Sequence, residues 1–382
     1  MILREARHKI LKMAEKFPIV TLTGPRQSGK TTLSKTLFSN YKYVSLENPD
    51  NLEFAENDPK GFLNIYDKFV IIDEVQRCPS LFSYIQQIVD EKNINGQYIL
   101  SGSQNFLLLE KITQSLAGRV YVMELLPFSQ KEITSVSWQK AIIRGGYPRI
   151  YDKEIRPSDY FPNYIQTYVE RDIRSIVNVQ DLASFQKFIY LLAHHVGQML
   201  NFNTISKEIQ IDIKTLQKWF SVLEASYITF TLKPWHKNFA KRIIKTPKLY
   251  FYDTGLVSYL LGIEKEEQLI LSKYKGSLFE NFGVLEILKN YRNNGLKYPF
   301  YFWRDSNGNE IDLVIERGTK VKFIEMKASE TVKSDFLKSL HYLDRMKTDF
   351  EIEHFLFNTM NETQPRTKET IVSWKNADRI AL

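Results

Sequence analysis

A glycine-rich motif near the N-terminus constrains the fold of this chain more than any other feature. The motif reads Gly24-x-x-x-x-Gly29-Lys30-Thr31, and it follows a short, largely β-branched run at Ile19–Leu22. The residues after it have helical character. A strand that leads into a glycine loop and then a helix binds phosphate, because the loop N–H groups point inward. The alternative is a glycine turn without a ligand.

The residues of this motif predict contacts with a nucleotide and with a metal ion. We expect Lys30 to reach the β- and γ-phosphates of a nucleotide, the Thr31 hydroxyl to ligate Mg²⁺, and Thr32 to contact the α-phosphate. Lys30 is therefore also a candidate catalytic residue. The predicted nucleotide-binding residues are Gly24, Pro25, Arg26, Gln27, Ser28, Gly29, Lys30, Thr31 and Thr32.

An acidic pair follows the next strongly apolar segment. Asp73 and Glu74 come directly after Val70–Ile72, whose consecutive apolar residues predict a strand buried on both faces. We expect Asp73 to hold Mg²⁺, directly or through water, and Glu74 to polarise the attacking water. The alternative is that the pair only caps a helix.

Further strands are predicted at Tyr43–Leu46, Gln97–Ser101 and Val120–Met123, with helices between them. This alternation predicts an α/β fold with a parallel, doubly wound sheet that binds ligands at the carboxyl ends of its strands. Ser103 and Gln104 follow one of these strands, so they are candidate sensors of the γ-phosphate. They could instead cap the next helix.

The composition of the chain limits its possible partners and its cellular compartment. The net charge of +8 permits a nucleic-acid partner without demonstrating one. Cys78 is the only cysteine, which fits a reducing cytosol and excludes a cysteine-rich zinc site. The N-terminal segment is charged and amphipathic, and no stretch has about twenty apolar residues, so we expect a cytoplasmic protein without membrane spans.

In the order GPRQSGKTT, FVIIDEVQ, ILSGSQN and LAGRV, the first part of the chain resembles AAA-type P-loop ATPases. In that family an arginine after the sensor strand reaches the γ-phosphate of a neighbouring subunit. Arg119 lies at the matching place, so the resemblance implies a catalytic role in trans and a homo-oligomer. The alternative is a surface arginine paired with a carboxylate.

The middle of the chain predicts two helical modules. Residues 126–180 are expected to form a helical lid over the nucleotide. In residues 181–255, two helices followed by a hairpin match a winged-helix pattern. The connector at 233–248 is rich in basic and aromatic residues, which suits a nucleic-acid backbone, although it could be a solvated loop or part of a protein-docking module. The candidate DNA contacts are Lys237, Lys241, Arg242 and Lys245.

The last part, residues 256–382, has a predicted αβββαβ order and resembles the PD-(D/E)XK nuclease core. Asp312 and Glu325-x-Lys327 lie at the matching positions, and Glu280 matches the acid of the first helix. The resemblance implies carboxylates that hold a second Mg²⁺ or a Mn²⁺, which activates water, while Lys327 orients that water or offsets charge. The alternatives are an exposed cross-strand salt bridge or an inactive domain that only binds.

As a whole, the chain resembles the prokaryotic family that joins an AAA-type ATPase to a C-terminal nuclease-like domain. The predicted domains are the ATPase core at 1–125, the lid at 126–180, the winged-helix module at 181–255 and the nuclease-like domain at 256–382. The first hypothesis is a Mg²⁺-dependent ATPase that acts on DNA or signals through it. The alternatives are a nucleotide-gated protein-binding switch or scaffold, and an ATP-controlled nuclease.

Overall fold

The computed structural model describes residues 2–102, 116–135, 137–168, 181–235, 246–342 and 350–381. The chain divides into two compact units. The first contains Met1–Phe128 and Arg292–Leu296, and the second contains Ser129–Tyr291 and Lys297–Leu382.

The first unit is built on a five-stranded sheet in which every neighbouring pair of strands is parallel. The strands are β1 (Ile19–Thr23), β2 (Lys42–Ser45), β3 (Val70–Asp73), β4 (Tyr98–Ser101) and β5 (Val120–Glu124). Their order across the sheet is β2-β3-β4-β1-β5. Every residue of β1, β3 and β4 is buried, as expected for strands covered on both faces. The predicted parallel α/β sheet is therefore confirmed.

Helices connect these strands. They are α1 (Arg7–Ala14), α2 (Lys30–Leu37), α3 (Pro49–Asn57), α4 (Pro59–Ile65) and α5 (Leu81–Lys92). Local sequence explains where some of them begin: Asn48 caps α3 by accepting from the N–H of Asp50, and a proline follows each cap of α3 and α4. Two clusters of buried apolar side chains contain residues of the sheet, and Cys78 lies in one of them.

The second unit begins with short helices, α6 (Gln130–Ile133), α7 (Trp138–Arg144), α8 (Pro148–Asp152) and α9 (Pro157–Tyr164). Three hydrogen bonds tie this part of the predicted lid to later elements of the same unit: Gln130 N–H to Glu286, Ser137 to Glu266, and Gly146 N–H to Asp253. Residues 129–291 thus belong to one compact unit, and the predicted domain boundaries at residues 180 and 255 stay predictions.

Next come α10 (Leu182–His194), α11 (Phe202–Ile209) and α12 (Ile213–Ala225), then the antiparallel strands β6 (Thr229–Pro234) and β7 (Lys248–Phe251). The helices and the hairpin therefore follow the order of the predicted winged-helix module. However, β6 also pairs with β8 (Phe300–Arg304), so the hairpin extends a larger sheet.

That larger sheet has eight strands in the order β12-β13-β11-β10-β9-β8-β6-β7. The remaining strands are β9 (Glu310–Arg317), β10 (Lys320–Lys327), β11 (Glu351–Asn358), β12 (Gln364–Pro365) and β13 (Thr370–Ser373). The remaining helices are α13 (Thr254–Leu260), α14 (Glu266–Leu271), α15 (Lys275–Asn293), α16 (Asp335–Tyr342) and α17 (Asp378–Ala381). The predicted αβββαβ order is present in α15, β8, β9, β10, α16 and β11.

Among the residues described, no helix combines the length and the apolar character needed to cross a membrane.

Candidate functional sites

The phosphate-loop motif connects β1 to α2 in a backbone conformation that its glycines permit. The φ angles of Gly24, Gln27 and Gly29 are 137°, 61° and 91°. At Gly24 a Cβ atom would lie 2.3 Å from the carbonyl oxygen of Leu125, so this position excludes any side chain. The loop therefore has the compact form in which backbone N–H groups can surround an anion.

Lys30 begins α2 and is buried. Its ammonium group donates hydrogen bonds to the carbonyl oxygens of Gly24 (3.0 Å) and Pro25 (2.7 Å). Burial lowers the pKa of Lys30 to about 8, because desolvation disfavours the charged form. The ammonium group of Lys30 is therefore bonded to the phosphate loop itself, close to where a phosphate would bind.

Asp73 ends β3 and lies beside the loop, as the sequence predicts. Its Oδ2 accepts from the Thr31 hydroxyl at 2.8 Å and from the Tyr43 hydroxyl at 3.1 Å, and its Oδ1 accepts from Ser101. Ser101 and Asp73 are register partners on neighbouring strands. A buried carboxylate held by three hydroxyl groups is fixed in orientation.

Glu74 follows in the left-handed backbone region, with φ of 53°. Its carboxylate accepts a hydrogen bond from the side-chain amide of Gln76. The positive φ turns the chain sharply where β3 ends, so consecutive acidic residues diverge. Asp73 points to Thr31, whereas Glu74 points to Gln76.

Arg119 pairs with Asp90 of its own chain. Its Nη2 donates to Asp90 Oδ2 at 2.8 Å and its Nη1 donates to the Ala117 carbonyl at 3.0 Å, and both charged side chains are partly exposed. This is the surface ion pair that we gave above as the alternative to a role of Arg119 in trans. Its role in trans remains a prediction. The candidate sensors Ser103 and Gln104 lie outside the described residues.

Arg4, which the sequence analysis did not single out, donates a hydrogen bond to the phosphate loop. Arg4 is 5% exposed, donates from Nη1 to the Ser28 carbonyl at 3.0 Å, and donates from Nη2 to the Leu126 carbonyl. Its guanidinium also lies 4.8 Å from the centre of the Phe128 ring. Arg4 thus joins the phosphate loop to the segment that follows β5.

The second unit brings together all four residues predicted for a nuclease-like site. Asp312 lies on β9, Glu325 and Lys327 on β10, and Glu280 on α15. Lys327 Nζ is 3.8 Å from Asp312 Oδ2 and is bonded to Glu325. Asp312 Oδ2 also accepts from the Met326 N–H at 2.8 Å, which orients the carboxylate.

Two further residues of this cluster were not predicted, and one corrects the sequence interpretation. Lys248 was grouped with the basic connector, yet its side chain is only 3% exposed. Its Nζ lies 2.7 Å from Glu280 Oε1, is bonded to Glu310, and is 3.9 Å from Asp312 Oδ1. One carboxylate oxygen from each of Glu280, Glu310 and Asp312 can be chosen so that all lie within 4.8 Å of one another, a spacing compatible with a metal ion.

Burial and mutual repulsion alter the acidity of these carboxylates. Desolvation raises the pKa of Glu280 to about 7 against the opposing effect of Lys248, and Asp312 adds to the rise. Desolvation together with Asp312 raises the pKa of Glu325 to about 8. The pKa values of Lys248 and Lys327 are raised, because the desolvation of each ammonium group is outweighed by the neighbouring carboxylates.

The candidate DNA contacts Lys237, Lys241, Arg242 and Lys245 lie outside the described residues.

With its phosphate loop, its parallel sheet and Asp73 beside the loop, the first unit has an α/β fold that resembles P-loop ATPases. Its sequence agrees, because residues 16–134 match the family model of the AAA domain. Residues 135–267 match one domain of unknown function (DUF8612), and residues 275–376 match another (DUF4143).

Two relatives match most of the chain. An uncharacterized protein of Mycobacterium tuberculosis is 29% identical over 333 residues, covering 86% of this chain and 74% of the relative, and one of Mycobacterium bovis matches with the same values. The solved structures named next resemble the chain at low sequence identity. A Walker-type ATPase of Pyrococcus abyssi has a TM-score of 0.43 at 13% identity, covering 67% of this chain and 95% of that one.

A RuvB variant of Thermotoga maritima has a TM-score of 0.33 at 16% identity, covering 60% of this chain and 89% of that one. AMPPCP-bound DnaA of Aquifex aeolicus has a TM-score of 0.28 at 14% identity, covering 57% and 85%. The resemblance of the first unit to P-loop ATPases rests on the loop, on Asp73 and on the matched sequence.

Proposed function

We propose that the first unit binds ATP with Mg²⁺ and hydrolyses it. The observation that carries this proposal is the 2.8 Å hydrogen bond between the Thr31 hydroxyl and Asp73, made directly beside the phosphate loop. A hydroxyl and a carboxylate at that place are the groups that P-loop enzymes use to hold Mg²⁺. The match of residues 16–134 to the AAA domain supports the same activity.

The residues present fit a triphosphate and its metal ion. Ser28 is fully buried within the loop, and its hydroxyl has no hydrogen-bond partner among the described residues. Loop N–H groups and Lys30 would hold the phosphates, while Thr31 and Asp73 would hold Mg²⁺. The metal, when bound, stabilises charge on the phosphate oxygens. Glu74 would accept a proton from the attacking water, after its carboxylate leaves the Gln76 amide.

Two substitutions test these roles separately. Lys30→Ala should lose nucleotide binding, because it removes the cation that faces the phosphates. Glu74→Gln should bind ATP normally and hydrolyse it slowly, because an amide cannot accept the proton. The matched control is Glu91→Gln, which makes the same change at an exposed residue of α5 that contacts Gln87. Full turnover by Glu74→Gln would remove Glu74 from the mechanism.

We further propose that Arg119 acts on the nucleotide of a neighbouring subunit in a homo-oligomer. Because Arg119 pairs with Asp90 in the structure, its loss alone is ambiguous, and Asp90→Ala provides the control. A role in trans predicts that Arg119→Ala lowers turnover while Asp90→Ala does not. It also predicts specific activity that rises with protein concentration. Equal effects of the two substitutions would indicate that the ion pair is only structural.

A second proposal concerns the carboxylate cluster of the second unit, which we propose to be a nuclease-like site that acts on DNA. The convergence of Glu280, Asp312, Glu325 and Lys327 favours it, since carboxylates beside a lysine suit metal-assisted phosphodiester hydrolysis. Plasmid incubated with Mg²⁺ or Mn²⁺, with and without ATP, tests cleavage, and Asp312→Ala is the control. Uncut DNA, or equal cutting by Asp312→Ala, would reject the nuclease.

The remaining alternative is a nucleotide-gated switch or scaffold that binds proteins through an inactive nuclease-like domain. Labelled duplex titrated at two salt concentrations separates it from a DNA-acting ATPase. Binding through phosphate contacts should weaken steeply as salt rises, because counterions are released. Absence of binding at low salt would favour the scaffold.

A further inference from the structure

The ammonium group of Lys248 occupies the middle of the carboxylate cluster in the second unit. It lies 2.7 Å from Glu280 Oε1 and 3.9 Å from Asp312 Oδ1, and it is bonded to Glu310. The three carboxylates that surround it are the same three whose oxygens have the spacing of metal ligands. We propose that Lys248 stands in for a divalent cation: the folded chain excludes Mg²⁺ and Mn²⁺ from this cluster until the ammonium group is removed.

The charge around Lys248 supports this exchange. Four carboxylates, those of Glu280, Glu310, Asp312 and Glu325, are linked to three cations, those of Lys248, Lys327 and Arg304. Because a metal ion binds ionised carboxylates, the count takes all four as charged: the formal sum is then −1, and it becomes −2 without Lys248, which is the charge that one divalent ion neutralises. In addition, Glu325 is 8% exposed and its Oε2 has no hydrogen-bond partner among the described residues, so the cluster retains a buried acceptor.

The strand that carries Lys248 is fixed in place. Asn281 of α15 accepts from the Phe251 N–H at 2.8 Å and donates to the Phe251 carbonyl at 3.1 Å. On the same strand, the Tyr250 hydroxyl donates to Glu280 Oε1 at 2.6 Å. Because α15 and β7 are joined in this way, admission of a metal ion requires movement of the Lys248 side chain rather than of the strand.

The inference limits the second proposal above, because a wild-type chain whose cluster excludes Mg²⁺ and Mn²⁺ would leave plasmid uncut, and it takes from that proposal only the choice of ions. The two can fail separately. A variant that binds Mn²⁺ without cutting DNA would support the exchange of cations and reject the nuclease.

The test is a Mn²⁺ titration followed by electron paramagnetic resonance on the full chain without nucleotide. All proteins carry Asp73→Asn, which weakens metal binding in the first unit. Lys248→Met keeps the length of the side chain and removes its charge, and Lys322→Met makes the same change at a lysine of β10 that contacts Glu353 and the Ile380 carbonyl. We expect Lys248→Met to bind one Mn²⁺ on the order of a hundredfold more tightly than the other two proteins.

Further variants locate the ion and guard against misfolding. Asp312→Asn added to Lys248→Met should abolish the new binding. Should Lys248→Met fold poorly, Mn²⁺ should raise its melting temperature, and Lys248→Gln, which keeps a hydrogen-bond donor, should bind Mn²⁺ as well. Equal affinity in the Lys248 parent, folded variants that bind no Mn²⁺, or failure of both variants to fold even with Mn²⁺ would overturn the inference.

Discussion

Replacement of Arg4 by alanine should weaken both the first unit and its phosphate loop. The guanidinium is 5% exposed and donates to the carbonyl oxygens of Ser28 and Leu126. Each hydrogen bond from a buried charged donor contributes about 1.5–3 kcal/mol, so the loss of two in Arg4→Ala should cost about 3–6 kcal/mol. For a unit of this size, that loss lowers the melting temperature by roughly 10–20 °C. Arg4→Lys should lose about half as much, because an ammonium group is a point donor without the guanidinium fork.

Differential scanning calorimetry with and without ATP and Mg²⁺ measures this effect. The transition of the first unit is the one that nucleotide raises. Since the Ser28 carbonyl belongs to the loop, Arg4→Ala should also reduce ATP affinity about tenfold through loss of preorganisation. The control is Arg7→Ala, which removes the same charge from a partly exposed residue of α1 that contacts His8. An unchanged transition and unchanged ATP affinity in Arg4→Ala would refute the anchoring role.

Two other predictions separate the two units. Gly24→Ala should abolish nucleotide binding, because φ is 137° and the added Cβ would lie 2.3 Å from the Leu125 carbonyl oxygen. The control Gly118→Ala, at φ of 79° with no described heavy atom within 4 Å, should bind nucleotide normally. Equal nucleotide binding by the two variants would contradict this reasoning. Asn281→Ala should destabilise the second unit by about 2–4 kcal/mol, because the buried N–H and C=O of Phe251 lose their partner. Hydrogen exchange of the β6–β7 hairpin should then be faster while ATP affinity is unchanged, and unaltered exchange would argue against the role of Asn281 in fixing β7 to α15.

The elements that carry the sites could be predicted because their signals are local. The apolar run before Asp73 forms β3, the glycine motif joins β1 to α2, and Asp312, Glu325 and Lys327 lie on β9 and β10. The place of a strand in the sheet fixes where the residues at the end of that strand lie. Parallel neighbours then bring Asp73 and Ser101 together, although the two are 28 residues apart in sequence.

The partners of Lys248 and Arg4 could not be predicted from local patterns. Lys248 lies at the end of a basic segment without acids, and its carboxylate partners Glu280 and Glu310 are 32 and 62 residues away. Arg4 belongs to a charged N-terminal segment that is typical of a solvated helix, and its two acceptors are 24 and 122 residues away. A charged side chain is buried only when distant chain segments supply its partners, and no short pattern records that arrangement.

The central claim is that a triphosphate and a divalent ion bind between Lys30, Thr31 and Asp73. Titration of Mn²⁺ with a nonhydrolysable ATP analogue, followed by electron paramagnetic resonance, tests it most directly. The account predicts one Mn²⁺–nucleotide complex per chain with phosphorus hyperfine coupling, lost in Lys30→Ala and weakened in Asp73→Asn. Folded wild-type protein that binds no Mn²⁺–nucleotide complex, or equal binding by Lys30→Ala, would contradict it.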